Sequence, residues 1–274
     1  MMKTSMIETL SATDYPLTQD QINRYRRDGF VQIDDLIMGG DLEQLRGAVE
    51  EAVANETASD CRKLSEKNSY EQIFIQQVNL WQRYPSVREF VLCRRFANLA
   101  ARLSGHPVRI WHDQALFKEP KEGAKTPWHQ DAHYWPHREK RDQITLWLAL
   151  QDATIHNGCM SFLPGTQGMD SIPAINLHDP KELFEVAPQL KGIKPKTCEL
   201  KAGSCTFHAG LTFHYAGPNR SDKLREALAI IYMPDGTTHN AEKEHRIIAL
   251  NRFQHGEPIM GEDFPLVSDV EPEQ

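Results

Sequence analysis

About 105 residues into this chain the spacing of its apolar residues changes from helical to strand-like, and that break limits the architecture more than any other feature. Before it, Thr18 and Gln21 form a T-x-x-Q capping box, which predicts a helix running to about Arg27 and stopping at Gly29. Phe30 to Ile33 alternates like a short strand. Asp41 is the expected cap of a second helix carrying Leu42, Leu45, Val49 and Val53. A third helix is predicted over 86–103, with Val87, Phe90, Val91, Phe96, Leu99 and Leu103 on its buried side and Gly105 ending it. After the break, short apolar or alternating runs at 108–118, 143–151, 160–163, 204–207, 212–215 and 226–233 are separated by turn residues. Such runs predict an antiparallel barrel or sandwich. Helices first and strands later predict an α+β chain with the helices packed on one sheet. Residues 166–200, rich in Pro, Lys, Asp and Glu, are expected to form a long surface excursion near the barrel mouth, either a lid or a simple insertion.

Composition narrows the function classes. With 274 residues and 40% apolar content the chain can build one large core. A net charge of −7 gives no general attraction to nucleic acid or anionic membranes. No stretch approaches the roughly 20 apolar residues that span a bilayer. The longest apolar run, 227–233, fits a buried strand. The opening residues lack the continuous apolar stretch of a secretory signal. The five cysteines are scattered, odd in number and without a CxxC pair, so reduced thiols in a cytoplasmic protein are expected.

The chemistry centres on Thr126-Pro127-Trp128-His129-Gln130-Asp131-Ala132-His133. His129 and Asp131 form H-x-D, and in an extended chain residues i and i+2 face the same side. An imidazole and a carboxylate joined by a second histidine make the facial triad of non-haem iron(II) oxygenases. Two of the three open positions suit a bidentate 2-oxo acid and the third suits dioxygen. His208 and His214 both compete for the remaining ligand place. Eleven residues beyond His214, past a turn at 217–222, stands Arg225, whose planar fork suits the far carboxylate of 2-oxoglutarate. The same step from His208 reaches Asn219, which carries no charge, so His214 is preferred.

The segments WHQDAHYWP, NGCMSFLPGTQ and FHYAGPNRSDKLREAL, with the opening LTQDQINRYRRDGFVQIDDL and the late GEPIMGEDFPLV, resemble the phytanoyl-CoA dioxygenase family across nearly the whole chain. The resemblance implies a double-stranded β-helix (a cupin-like jelly-roll barrel) with flanking N-terminal helices. It also implies one domain over 1–274: a helical part to about 105, a barrel core at about 106–235 and an extension beyond. It carries metal-ligand roles onto His129, Asp131 and His214 and the 2-oxoglutarate clamp onto Arg225. It further implies that Trp147 lines the co-substrate pocket and that Lys118 or Gln114 touches the 2-oxo acid. Related halogenases have a small residue where Asp131 stands, so hydroxylation is expected rather than halogenation. The implied reaction uses Fe(II), 2-oxoglutarate and O2 to hydroxylate an aliphatic C–H of a small-molecule or lipid-like substrate, releasing succinate and CO2.

Two other classes fit the same ligand set: a jelly-roll protein that has lost turnover, and a zinc hydrolase. Arg225 argues against both. The family accepts acyl-CoA thioesters, amino acids, osmolytes and natural-product intermediates. The absence of a basic cluster with a nucleotide loop, and of a peroxisomal ending at 271–274, points to a cytoplasmic small-molecule substrate. Pocket polarity is expected from three segments: that after His133, 168–201 and 239–252. His133, Tyr134, Trp135 and His137 either line the substrate side or pack the rim. His112 is read as structural. Asn157-Gly158 and Leu163-Pro164-Gly165-Thr166 are read as turns.

Overall fold

The computed structural model describes residues 14–121, 124–248 and 252–269. The expectations about a leader and a peroxisomal ending concern 1–13 and 271–274, which lie outside the described residues.

The first helix, α1 (Gln19–Asp28), is set as its caps require. Thr18 Oγ1 accepts from the Gln21 amide, the Gln21 side chain accepts from the Thr18 amide, and Gly29 turns left-handed at φ 80°. Strand β1 (Phe30–Ile33) follows. Helix α2 (Gly39–Thr57) begins two residues before the expected cap. Met38 occupies the N-cap with no side-chain bond, and Asp41 lies in the first turn, where its charge faces the helix dipole. After β2 (Ile75–Val78) come α3 (Leu80–Arg83), α4 (Pro85–Val91) and α5 (Arg94–Ser104).

The single helix expected over 86–103 is therefore two, broken at Cys93, whose ψ of 120° is extended. At about 100° per residue, Val87, Phe90 and Val91 would sit on nearly the opposite face of a straight helix from Phe96, Leu99 and Leu103. All six are buried in one core, so the chain must break and restart.

Strands β3 (Val108–Lys118), β4 (Thr126–His129), β5 (Ile144–Ala149) and β6 (Met160–Phe162) follow. Helix α6 (Leu183–Val186) precedes β7 (Lys196–Cys198), β8 (Cys205–Ala209), β9 (His214–Ala216) and β10 (Arg225–Pro234). They form two antiparallel sheets: six strands in the order β1-β8-β5-β10-β3-β2 and four in the order β4-β9-β6-β7. The excursion at 166–200 is not a bare loop. It holds α6 and β7, and Ile172, Ile175, Leu183 and Leu190 form their own cluster with Leu163 and Phe213.

Strand β10 explains the layering. Leu228, Ile230 and Tyr232 join the core shared with the helices, whereas Ala227, Ala229, Ile231 and Met233 face the other sheet. Both faces are covered, which is why this run is continuously apolar. Past β10 the chain folds back on β3 through Ile110 N–H to Pro265 O and Val267 N–H to Val108 O, both near 3 Å. All five cysteines are free. No helix among the described residues is long and apolar enough to cross a membrane.

Candidate metal and co-substrate site

Antiparallel pairing brings the two preferred histidines together. His129 on β4 and His214 on β9 are register partners, with ring centroids 4.1 Å apart. β9 is tied on its other side to β6, where Phe162 pairs with His214. The loop before β9 is pinned by Thr212 Oγ1 donating to Gly29 O and by Phe213 N–H donating to Thr166 Oγ1. Thr166 belongs to the turn after Leu163 that the sequence indicated.

Asp131 does not extend β4. Gln130 is still extended, but Asp131 opens a short 3-10 turn, Asp131–His133. Its carboxylate nevertheless reaches both rings: Oδ1 lies 3.3 Å from His129 Nε2 and 3.5 Å from His214 Nε2. One ligand atom from each of these residues lies within 4.8 Å of the other two. Each histidine Nδ1 faces a backbone carbonyl two residues earlier, Pro127 O at 2.8 Å and Thr212 O at 3.0 Å. A carbonyl can only accept, so Nδ1 carries the proton and the Nε2 lone pair points inward. Burial and the neighbouring His129 push His214 well below the ordinary imidazole range, which keeps it neutral. Two imidazole nitrogens and one carboxylate aimed at a common point suit a divalent transition metal.

These groups lie in a cavity of about 580 Å³. Arg225 also lines it. Its guanidinium lies over the Trp147 ring at 5.2 Å and donates to Leu116 O at 3.2 Å, while Nε is buried with no partner. Among the described residues no carboxylate pairs with it. Burial lowers it to about 10, still charged at neutral pH. A buried, unpaired guanidinium is costly unless a ligand anion completes it.

The other expected contacts divide. Trp147 and Gln114 line the cavity, and Gln114 Oε1 accepts from Gln76 Nε2 at 2.6 Å. Lys118 is fully buried outside the lining, and its ammonium donates to Ala124 O and Ile73 O. Tyr134 and Trp135 face the cavity, as do 176–178 and 244–247 from the two later segments. Residues 249–251 of the last segment lie outside the described residues. His133 turns instead to Gln130 Oε1, and His137 is buried against Trp111.

The sequence reading took His112 as structural, yet it lines the cavity beside Gln114 on the same face of β3. Tyr70, Phe74, Gln76 and Thr145 also line it and were missed. Residues 60–79 have no clear period, so nothing marked that segment. The register of β5 against β8, which brings Thr145 opposite His208, cannot be read from either strand alone.

A model of the phytanoyl-CoA dioxygenase (PhyH) family matches residues 25–227. An L-proline trans-4-hydroxylase of Streptomyces griseoviridis is 28% identical over 155 residues, 53% of this chain and 53% of that protein, so the match spans about half the relative's length. The crystal structure of a non-heme α-ketoglutarate-dependent carbocyclase from nogalamycin biosynthesis superposes with a TM-score of 0.81 at 30% identity, covering 92% of this chain and 97% of that one. An epimerase solved with Fe3+, α-ketoglutarate and nogalamycin RO superposes with a TM-score of 0.74 at 25% identity, covering 91% and 98%.

Proposed function

From the premise that the chain belongs to the phytanoyl-CoA dioxygenase family, we propose that it is an iron(II)- and 2-oxoglutarate-dependent dioxygenase that hydroxylates an aliphatic C–H of a small-molecule or lipid-like substrate. The observation that carries this reading is one cavity holding both the His129, Asp131 and His214 donors and the unpaired guanidinium of Arg225. We read the two sheets as the halves of a double-stranded β-helix, and the whole chain as one catalytic domain with that core at about 106–235.

Iron(II) held by these three residues, with 2-oxoglutarate and dioxygen, supplies the oxidising chemistry and leaves succinate and CO2 as co-products. The chain supplies the rest. His129 and His214 give lone pairs from Nε2, and the carbonyls behind them prevent the rings from turning. Asp131 would give one carboxylate oxygen, and a carboxylate here, where related halogenases carry a small residue, favours hydroxylation. Arg225 pairs with the remote carboxylate of 2-oxoglutarate, while Trp147 flanks it and excludes water. Ala216 and Ala229 line the cavity with small side chains that leave room in it.

The cavity is of the size that holds a drug-sized ligand, larger than 2-oxoglutarate alone needs. Gln76, Gln114, His112 and His245 also line it and offer hydrogen-bonding groups. A zinc hydrolase or an inactive binding protein leaves Arg225 without a purpose. The test is succinate formation from 2-oxoglutarate. It should require Fe(II) and dioxygen, vanish with a chelator, and vanish in Asp131→Ala. Iron-independent turnover, or full turnover in that variant, contradicts the reading.

A further inference from the structure

Beside the three donors stands a third imidazole with no role so far. His208 on β8 is 1% exposed and lines the same cavity. Its ring packs against His214 at 4.7 Å and Phe162 at 5.3 Å. It stands outside the group of mutually close ligand atoms. Among the described residues, and unlike His129 and His214, it has no carbonyl behind Nδ1, and neither of its nitrogens has a well-formed hydrogen bond. Its Nε2 faces Asp131 Oδ2 at 3.5 Å.

The oxygens of Asp131 thus have different neighbours. Oδ1 faces the Nε2 atoms of His129 and His214. Oδ2 faces His208 Nε2 and the hydroxyl of Thr145, each at 3.5 Å. Thr145 and His208 are register partners on β5 and β8, so a rigid sheet presents two donors side by side. Asp131 needs such support because strand pairing does not fix it. It begins the turn beyond β4, where its own carbonyl accepts from Tyr134 N–H and the next residue is tied by Ala132 N–H to Gly210 O, both at 2.9 Å.

We propose that His208 is a positioning residue, which with Thr145 holds the outer oxygen of Asp131 so that only the inner oxygen is presented to the metal. This rests on the assignment of His129, Asp131 and His214 as ligands. Nε2 of His208 carries the proton and donates it to Oδ2. The imidazole is therefore a partner of a ligand and not a ligand.

The test is an anaerobic titration of Fe(II) into the full chain with 2-oxoglutarate, read by iron affinity and by the visible charge-transfer absorption of the iron–2-oxo acid chelate. Urea unfolding of the metal-free protein runs alongside. His208→Ala should weaken iron binding about 10–100-fold and shift the absorption while leaving metal-free stability unchanged. His208→Gln keeps a donor and should restore most of both. Thr145→Val should lose less, in the same direction. Wild-type affinity and absorption in His208→Ala overturn the proposal. So does a loss as complete as that of His214→Ala that Gln does not restore, since His208 would then be a ligand. A fall in metal-free stability with no rescue by Gln also overturns it, by making the role structural. If His208→Ala does not fold, Thr145→Val decides, and unchanged affinity and absorption there overturn the proposal. Failure of the underlying assignment looks different, because His129→Ala and His214→Ala would then bind iron like the wild type.

Discussion

Among the described residues Arg225 pairs with no carboxylate; its side chain donates to Leu116 O and lies over the face of Trp147. Arg225→Ala should therefore raise the concentration of 2-oxoglutarate needed for half-maximal turnover by at least about tenfold, the scale of one charge-assisted pair. The iron requirement should stay nearly fixed. Paired titrations of the two check this, and an unmoved 2-oxoglutarate curve places the clamp elsewhere. Arg225→Lys should recover little, because an ammonium cannot reproduce the fork. A second residue-scale effect is on stability. Asp113 is fully buried on β3 and accepts from the amides of Leu80 and Trp81. Burial raises its carboxyl to about 7 despite those amides. Between the ordinary carboxylate value and about 7 the unfolded chain is ionised while the folded chain keeps its proton. Stability from this group is thus full at low pH and is lost as pH rises through that window. Asp113→Asn should flatten the decline, with a larger gain in melting temperature at pH 8 than at pH 5. An equal change at both values contradicts the linkage. The gathering of His129, Asp131, His214 and Arg225 in one cavity was legible in the sequence because the chemistry expected of them demands particular residue types at particular spacings. His112 and Thr145 were not, because their place in the cavity comes from which strands lie beside theirs.

Among the elements, the turn between α1 and β1 bears on the site more than its distance in sequence suggests. Gly29 has φ +80°, and a Cβ there would lie 2.4 Å from Thr212 Oγ1. Thr212 donates to Gly29 O, and its own carbonyl faces Nδ1 of His214. Gly29→Ala should cost about 2 kcal/mol or more through the left-handed backbone and the clash. It should also weaken metal binding in the fraction that still folds. Urea unfolding and a metal titration of the same sample separate the two effects. Wild-type metal affinity in a destabilised variant would show that the turn does not reach the site. The helices were legible where caps mark them, as with Thr18 and Gly29, and less so where only period does. The break at Cys93 was visible as a slip of phase between Val91 and Phe96, but a list of apolar positions hides it.

For the molecule as a whole, the cavity joins strands of both sheets to the segments around Tyr70, Asn176 and His245. Ligands that bind only the folded state stabilise it by mass action, about 2.7 kcal/mol at a hundredfold excess over Kd. Mn(II) with 2-oxoglutarate should therefore raise the melting temperature of the wild type, and a chelator should reverse it. Asp131→Ala should show little of this gain, and a full gain in that variant would place the ion elsewhere. The alternation of β10 and the helix-then-strand order made the layered α+β plan readable from sequence. The part of the cavity lined by Tyr70, Asn176 and His245 was not, because it is built from segments without a period that meet only once the sheets are packed. The central claim is that His129, Asp131 and His214 hold one divalent ion while Arg225 grips the far end of 2-oxoglutarate. A crystal structure of the chain grown without oxygen in Mn(II) and 2-oxoglutarate tests it most directly. It should show a single ion bound by Nε2 of both histidines and one oxygen of Asp131, chelated by the 2-oxo acid, with the distant carboxylate on the Arg225 guanidinium. An ion held by His208 in place of His214, or a co-substrate whose far carboxylate lies away from Arg225, would contradict it.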